Sequence, residues 1–182
     1  MDIFFFNLIN HIPHYSFTDG FVVFLEWIGE KEAVYSIIAI FFTAGLIKKR
    51  KGIWLVALGA FSAEAMTGAV VFLVKHIVER PRPFILLSDV YRIGHATSPS
   101  FPSGHAAVYA AGAGFLMLWF KKFQPFWMIV LFLGGFGRIY QGMHYPSDVL
   151  AGWLIGLFFA WLTVSVLPAI DSKIRIPSLN NE

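Results

Sequence analysis

The stretch IWLVALGAFSAEAMTGAVVFLV, Ile53–Val74, decides the fold class: it is apolar or small almost throughout and carries a single charge, Glu64. A helix needs about 20 such residues to cross the roughly 30 Å hydrocarbon core of a bilayer, and this one is long enough. A second stretch, Val149–Ile170, carries no charge at all. Three further apolar segments, Ala33–Ile47, Phe101–Phe120 and Phe123–Gly137, are shorter once only their uncharged cores count. They must recruit flanking polar residues or snorkelling lysines to reach both interfaces. Towards the N-terminus, Met1–Ile12 reads as an interfacial helix. Phe17–Ile28 is short for a span and contains Glu26, so it is either a sixth crossing or a half-buried element. The expected fold is therefore all-α: a polytopic membrane helix bundle of six transmembrane helices, or five if 17–28 does not cross. It carries an interfacial N-terminal helix and forms one domain over 1–182. No Lys or Arg precedes the first apolar run, so a cleaved signal peptide is not expected.

Composition agrees. Of 182 residues, 57% are hydrophobic and 14% charged, and the mean hydropathy is +0.67. Soluble domains run at about 45–50% apolar and about 25% charged, so this chain has too little polar surface to coat a globule. That excludes an ordinary water-soluble enzyme, a disordered segment and a fibrous protein. The absence of cysteine excludes disulfides, thiolate metal sites and a cysteine nucleophile. A net charge of +3 does not indicate nucleic-acid binding, because the basic residues are clustered. With alternating spans, Lys48–Lys51, Lys121–Lys122 and the tail bearing Lys173 and Arg175 fall on one face, which holds eight of the fourteen basic residues. Basic clusters beside helix ends mark the cytoplasmic side, so the loop 76–102 is expected outside the cell. Ala106, Ala110 and Gly114, and likewise Gly152 and Gly156, recur at four-residue spacing, which lets two helices approach closely.

Three groups of reactive residues fall at span ends on that outer side. The first runs from Lys75 to Arg82 and Pro83, the second is Pro102-Ser103-Gly104-His105, and the third runs from Arg138 through His144 to Asp148. Helix counting alone therefore brings residues some seventy positions apart to one depth. Lys75, Arg82 and Arg138 supply three cations, two of them guanidinium forks suited to phosphate oxygens. His105 and His144 can exchange protons near neutral pH. Ser103 is a good N-cap and Gly104 permits close backbone approach, so the helix they open can aim N–H groups at an anion. Pro146 suits the first turn of the last span, and Asp148 can reach back toward His144. A carboxylate against one imidazole nitrogen leaves the other free to attack. The surrounding positive charge opposes cation binding, so neither a metal nor another cofactor is expected.

The segments Lys75–Pro83 (K-x6-R-P), Pro102–His105 (P-S-G-H) and Arg138–Asp148 (R-x5-H-x3-D) together resemble the three-part signature of the type 2 phosphatidic acid phosphatase superfamily. The resemblance covers residues 33–170 and is nearest the short bacterial phosphatidylglycerophosphatase B group. It departs at Gly137, where the family usually has serine before the arginine. It implies that His144 is the nucleophile forming a phosphohistidine and that Asp148 orients and activates it. His105 would protonate the departing alkoxide and then activate water. Lys75, Arg82, Ser103, Gly104 and Arg138 would bind the substrate phosphate. The implied activity is metal-independent hydrolysis of a lipid phosphomonoester, phosphatidylglycerol phosphate first and undecaprenyl pyrophosphate as the alternative. The implied partners are the bilayer and a membrane lipid, with no nucleic acid and no required protein. A small transporter component is the reading from another class; the lack of repeat-related halves counts against it.

The remaining polar residues invite plainer expectations. Arg80 and Glu79 are expected to form an exposed loop ion pair, His76 and His95 to be solvated or hydrogen-bonded loop residues, and His11 and His14 to be interfacial. Glu64 is a functional candidate by default within a span, or else a protonated group satisfied by Ser62 and Thr67.

Overall fold

The computed structural model describes residues 1–170, and their regular elements are all helices, with no strand among them. The tail bearing Lys173 and Arg175 lies outside the described residues. The helices are α1 (Asp2–Asn10), α2 (Ser16–Ile28), α3 (Lys31–Ile47), α4 (Lys51–Val78), α5 (Pro83–Leu86), α6 (Gly104–Trp119), α7 (Gln124–Tyr140) and α8 (Pro146–Ile170). Five of them, α3, α4, α6, α7 and α8, coincide with the five apolar segments read from sequence. Gly52–Leu86 and Pro146–Leu167 are long and apolar enough to cross a membrane on length and composition alone. Of the three shorter helices, two reach 17 residues by recruiting polar neighbours: Lys31 at the start of α3 and Arg138 in the last turn of α7. The third, α6, begins three residues later than its apolar run, because Ser103 adopts an extended backbone and caps it.

The centre of the bundle is α6 against α8. Both present small residues to the contact, and there is no room for more. A Cβ added at Gly156 would lie 2.7 Å from Ala110 Cβ and from the Ala111 nitrogen, and one at Gly152 would lie 2.5 Å from the Ser103 carbonyl. Close backbone approach of this kind replaces the hydrophobic driving force that lipid removes. Phe115 of α6 joins Leu55 of α4 and Ala160 and Leu167 of α8 in one core cluster. Ala110 and Ala113 of α6 join Leu131 of α7 in another.

The helices alternate in direction, so the ends of α4 and α7 and the beginnings of α6 and α8 share one end of the bundle. The connections Lys48–Arg50 and Lys121–Phe123 lie at the other end, the latter as a 3-10 turn. α1 and α2 lie against the first of these ends. Asn10 donates to the carbonyls of Tyr91 and Tyr140, at 2.7 and 2.8 Å. From Thr18 to Glu26, α2 bonds to Tyr140, Tyr109, Arg138 and Gln141, all near that end. At 13 residues α2 is about 20 Å long, against a hydrocarbon core of roughly 30 Å. Its length and its partners set it apart from the helices that run the depth of the bundle.

Glu64 is buried on α4, and neither expected partner serves it. Ser62 bonds to the Leu58 carbonyl at 2.8 Å, while Glu64 Oε1 and Thr67 Oγ1 both lack a hydrogen-bond partner among the described residues. His14 is half-buried. It stacks between Tyr91 and Tyr140, each ring centroid 4.2 Å away, and bonds to Asp19 and to the Asn10 carbonyl.

Candidate active site

Each sequence-predicted residue sits where a helix end meets the shared face. Lys75 is in the last turn of α4 and Arg82 precedes α5. His105 is in the first turn of α6, Arg138 in the last turn of α7, and Asp148 in the first turn of α8. His144 lies in the short α7–α8 connection. A cavity of about 620 Å³ opens here, and Lys75, Arg82, Gly104, His105, Arg138 and His144 line it. Ser103 and Asp148 stand behind that wall, both fully buried. Ser103 Oγ accepts from the Ala106 N–H at 3.4 Å, its backbone N–H donates to the Asp148 carbonyl at 2.9 Å, and no bond of its hydroxyl points into the cavity.

The nucleophile candidate is held on several sides. Arg82 Nη1 lies 3.2 Å from His144 Nε2 and donates to the Met143 carbonyl at 3.0 Å, while its Nε donates to Ser98 O at 2.8 Å. On the other nitrogen Asp148 Oδ2 stands 3.7 Å from His144 Nδ1, an ion-pair distance too long for a hydrogen bond. Ser100 fills the gap. Its hydroxyl donates to Asp148 Oδ2 at 2.5 Å and lies 3.4 Å from Nδ1. Burial holds His144 far below the usual imidazole range, to about 3; the nearby Asp148 opposes this, and the charges of Arg82, Arg138 and Lys75 reinforce it. The ring is thus neutral at physiological pH.

Two carboxylates from α2 and its C-terminal turn enter the same cavity, and nothing in the motif pattern pointed to them. Glu26 Oε1 meets Arg138 Nη1 at 2.6 Å, and Oε2 accepts from Gln141 Nε2 at 2.9 Å. Gln141 closes the arrangement by accepting from the same Arg138 nitrogen at 2.7 Å. Glu30 Oε1 comes within 3.4 Å of His105 Nε2. Glu26, Glu30 and His105 are the one group among the described residues whose ligand-type atoms, all within 4.8 Å of one another, could hold a cation. Gly137 lies against α2. A Cβ there would lie 3.1 Å from Val22 Cγ1, so the serine usual in the family would crowd α2.

Arg80 is not paired with Glu79. Its guanidinium donates to Asp148 Oδ1 at 2.6 Å and to Asp2 Oδ2 at 2.7 Å. His76 is not a loop residue: it lies in the last turn of α4, its Nδ1 2.7 Å from the Phe72 carbonyl, while His95 Nδ1 in the loop lies 3.3 Å from Arg92 Nη2. Thus the bundle gathers Lys75, Arg82, His105, Arg138 and His144 about one cavity, with Asp148 and Ser103 behind it. The residues missed were Ser100, Glu26 and Gln141, along with Arg80 and Asp2.

An all-helical membrane bundle with cationic arms and imidazoles at one mouth suits the binding of a phosphate ester. Residues 54–171 match the model of the PAP2 superfamily, and the chain belongs to that family and is a phosphatase. It is 30% identical over 167 residues to an undecaprenyl-diphosphatase of Sulfolobus acidocaldarius, covering 88% of this chain and 76% of that one. It is 34% identical over 116 residues to phosphatidylglycerophosphatase B of Bacillus subtilis, where the match covers 56% of this chain and 51% of the other. Among solved structures, LpxE of Aquifex aeolicus superposes with a TM-score of 0.77 at 27% identity, over 90% of this chain and 94% of that one.

Proposed function

We propose that this chain hydrolyses the phosphomonoester of a membrane lipid at the cavity described, on the extracytoplasmic side, with phosphatidylglycerol phosphate as substrate. The observation that carries the reading is the buried, neutral His144 flanked by Arg82 on Nε2 and by Ser100 and Asp148 on Nδ1. His144 attacks phosphorus through Nε2, and a phosphohistidine forms as the ester oxygen leaves. His105 gives that oxygen its proton, then takes one from the water that releases phosphate. Lys75, Arg82, Arg138 and the Gly104 amide hold the equatorial oxygens, where phosphoryl transfer concentrates its charge. Ser103 contributes by capping α6 and so fixing the Gly104 amide. The basic clusters at the far end of the bundle support the outward orientation of the site.

One observation favours a second substrate, undecaprenyl pyrophosphate: the undecaprenyl-diphosphatase of Sulfolobus matches nearly the whole chain, whereas the phosphatidylglycerophosphatase B match covers about half. Purified protein assayed on both lipids with a chelator present separates the two. Release of phosphate from phosphatidylglycerol phosphate at the higher kcat/KM is expected, and faster release from undecaprenyl pyrophosphate selects the second reading. The His144→Ala variant is expected to release none from either. Full activity in that variant, or activity that returns only with magnesium, overturns the mechanism.

A further inference from the structure

Asp148 is fully buried, and both its oxygens are engaged. Oδ2, on the His144 side, accepts from Ser100 Oγ and from the Tyr145 N–H, at 2.5 and 2.9 Å. Oδ1 accepts from Arg80 Nη1 at 2.6 Å. Arg80 is itself fixed on three further sides. Nη1 also donates to Ser147 Oγ at 2.7 Å, Nη2 donates to Asp2 Oδ2 at 2.7 Å, and the guanidinium carbon lies 4.1 Å over the Tyr145 ring. Asp2 then closes the ring by accepting from the Ser147 N–H at 3.0 Å and from its hydroxyl at 2.6 Å. The start of α1 is thereby tied to the start of α8, 145 positions away.

We propose that Arg80, held by Asp2 of α1, is a positioning residue of the phosphatase site and acts through Asp148. The inference rests on the roles given above to His144 and Asp148. A buried carboxylate is costly without a partner, and a guanidinium is the partner that fixes its plane as well as its charge. A single Arg80–Asp148 pair would, however, cancel the negative charge that His144 needs as it becomes cationic on phosphorylation. Asp2 removes that conflict. Two carboxylates share one guanidinium, so the group keeps one net negative charge beside the imidazole. Asp2 and Arg80 line no part of the substrate cavity, so substrate binding is left to the other cations.

The test is kinetic, on the full chain in detergent with phosphatidylglycerol phosphate and undecaprenyl pyrophosphate as probes, and with His144→Ala as control. In Arg80→Ala, kcat is expected to fall roughly tenfold or more while KM changes by less than about twofold, the pattern of an interaction felt in the transition state. Added guanidinium ion restores part of the Arg80→Ala rate and none of the His144→Ala rate. Asp2→Asn lowers kcat less, by about two- to fivefold, again at constant KM. Wild-type kinetics in both variants overturn the proposal, as does a rise in KM alone. Loss without rescue in Arg80→Ala beside wild-type kinetics in Asp2→Asn also overturns it, because that pattern belongs to folding. If Arg80→Ala does not survive extraction, Arg80→Lys and Asp2→Asn decide by the same split of kcat from KM. An active His144→Ala protein instead brings down the underlying mechanism, whereas an inactive one beside a fully active Arg80→Ala protein overturns this inference alone.

Discussion

The α4–α6–α7–α8 bundle and the N-terminal cover of α1 and α2 meet at one cavity but are packed to different standards. Eight of the sixteen residues of α6 are buried, whereas α2 buries none. The bundle helices and the loops that join them contribute every cation and both histidines, and the cover contributes carboxylates: Asp2, Glu26 and, at its end, Glu30. Phosphoryl transfer depends on fixed positive charge around the reacting group, and Arg82, Arg138 and His144 are accordingly buried whether they stand on a helix or on a loop between helices. Carboxylates that only orient or balance those cations sit on elements held by a few polar bonds.

The largest effect is expected on the bundle side of the pair that joins the two regions. Arg138→Lys keeps the charge but loses the planar guanidinium, one nitrogen of which meets both Glu26 and Gln141 and whose fork would span two phosphate oxygens. kcat/KM is expected to fall by about 10²–10³-fold, the scale of removing one well-placed donor. A variant that stays within threefold of wild type would show that charge alone suffices at this position and would erase the distinction between a rigid cationic half and its cover.

A smaller effect, on stability, separates the regions by packing. Gly156→Ala puts a methyl where only 2.7 Å separates the new carbon from Ala110 Cβ, and overpacking of this kind costs about 1–3 kcal/mol. Gly20→Ala on α2 meets nothing within 4 Å and is expected to raise stability by about 0.5–1 kcal/mol, the helical cost of glycine. Thermal unfolding midpoints in detergent should therefore move in opposite directions. Equal shifts would mean that α6 and α8 can separate as easily as the cover.

The same contrast explains what could be read from the sequence. The five apolar helices were legible because lipid imposes length and hydropathy on each segment separately. The bundle half of the site was legible because Lys75, Arg82, His105, Arg138, His144 and Asp148 occupy short, ordered motifs at helix ends. Ser100 was not: it stands three residues before Ser103 in a loop, and only folding places its hydroxyl between Asp148 and His144. Glu26 looked like a flaw in a short apolar run, since nothing local shows that α2 lies at the mouth of the cavity. Arg80 was assigned to Glu79 because sequence neighbours are the default ion-pair partners, whereas its partners are Asp148, 68 positions away, and Asp2, 78 away. Long-range polar pairing leaves no periodic trace.

Glu26→Gln is expected to give the smallest effect on activity among the substitutions at the cavity, and it bears most directly on what the cover does. Glu26 occupies Arg138 through a 2.6 Å ion pair, so an incoming phosphate must share that guanidinium with a carboxylate. Two consequences compete. Removing the charge frees the guanidinium for substrate, which lowers KM; removing an acceptor loosens the arginine, which lowers kcat. Gln141 tips the balance, because its 2.7 Å bond still orients the Arg138 nitrogen when Glu26 is neutral, and glutamine preserves the shape and one acceptor. The expected result is a KM lower by about three- to tenfold, up to roughly 1.4 kcal/mol of binding, with kcat within about threefold of wild type. The measurement is a full KM and kcat determination on the better lipid substrate, at low and high salt, since a charge effect partly exposed to solvent weakens with ionic strength. A higher KM, or a fall in kcat as deep as that of Arg138→Lys, would place Glu26 with the rigid half of the site and show that α2 holds the arginine in register as firmly as the bundle does.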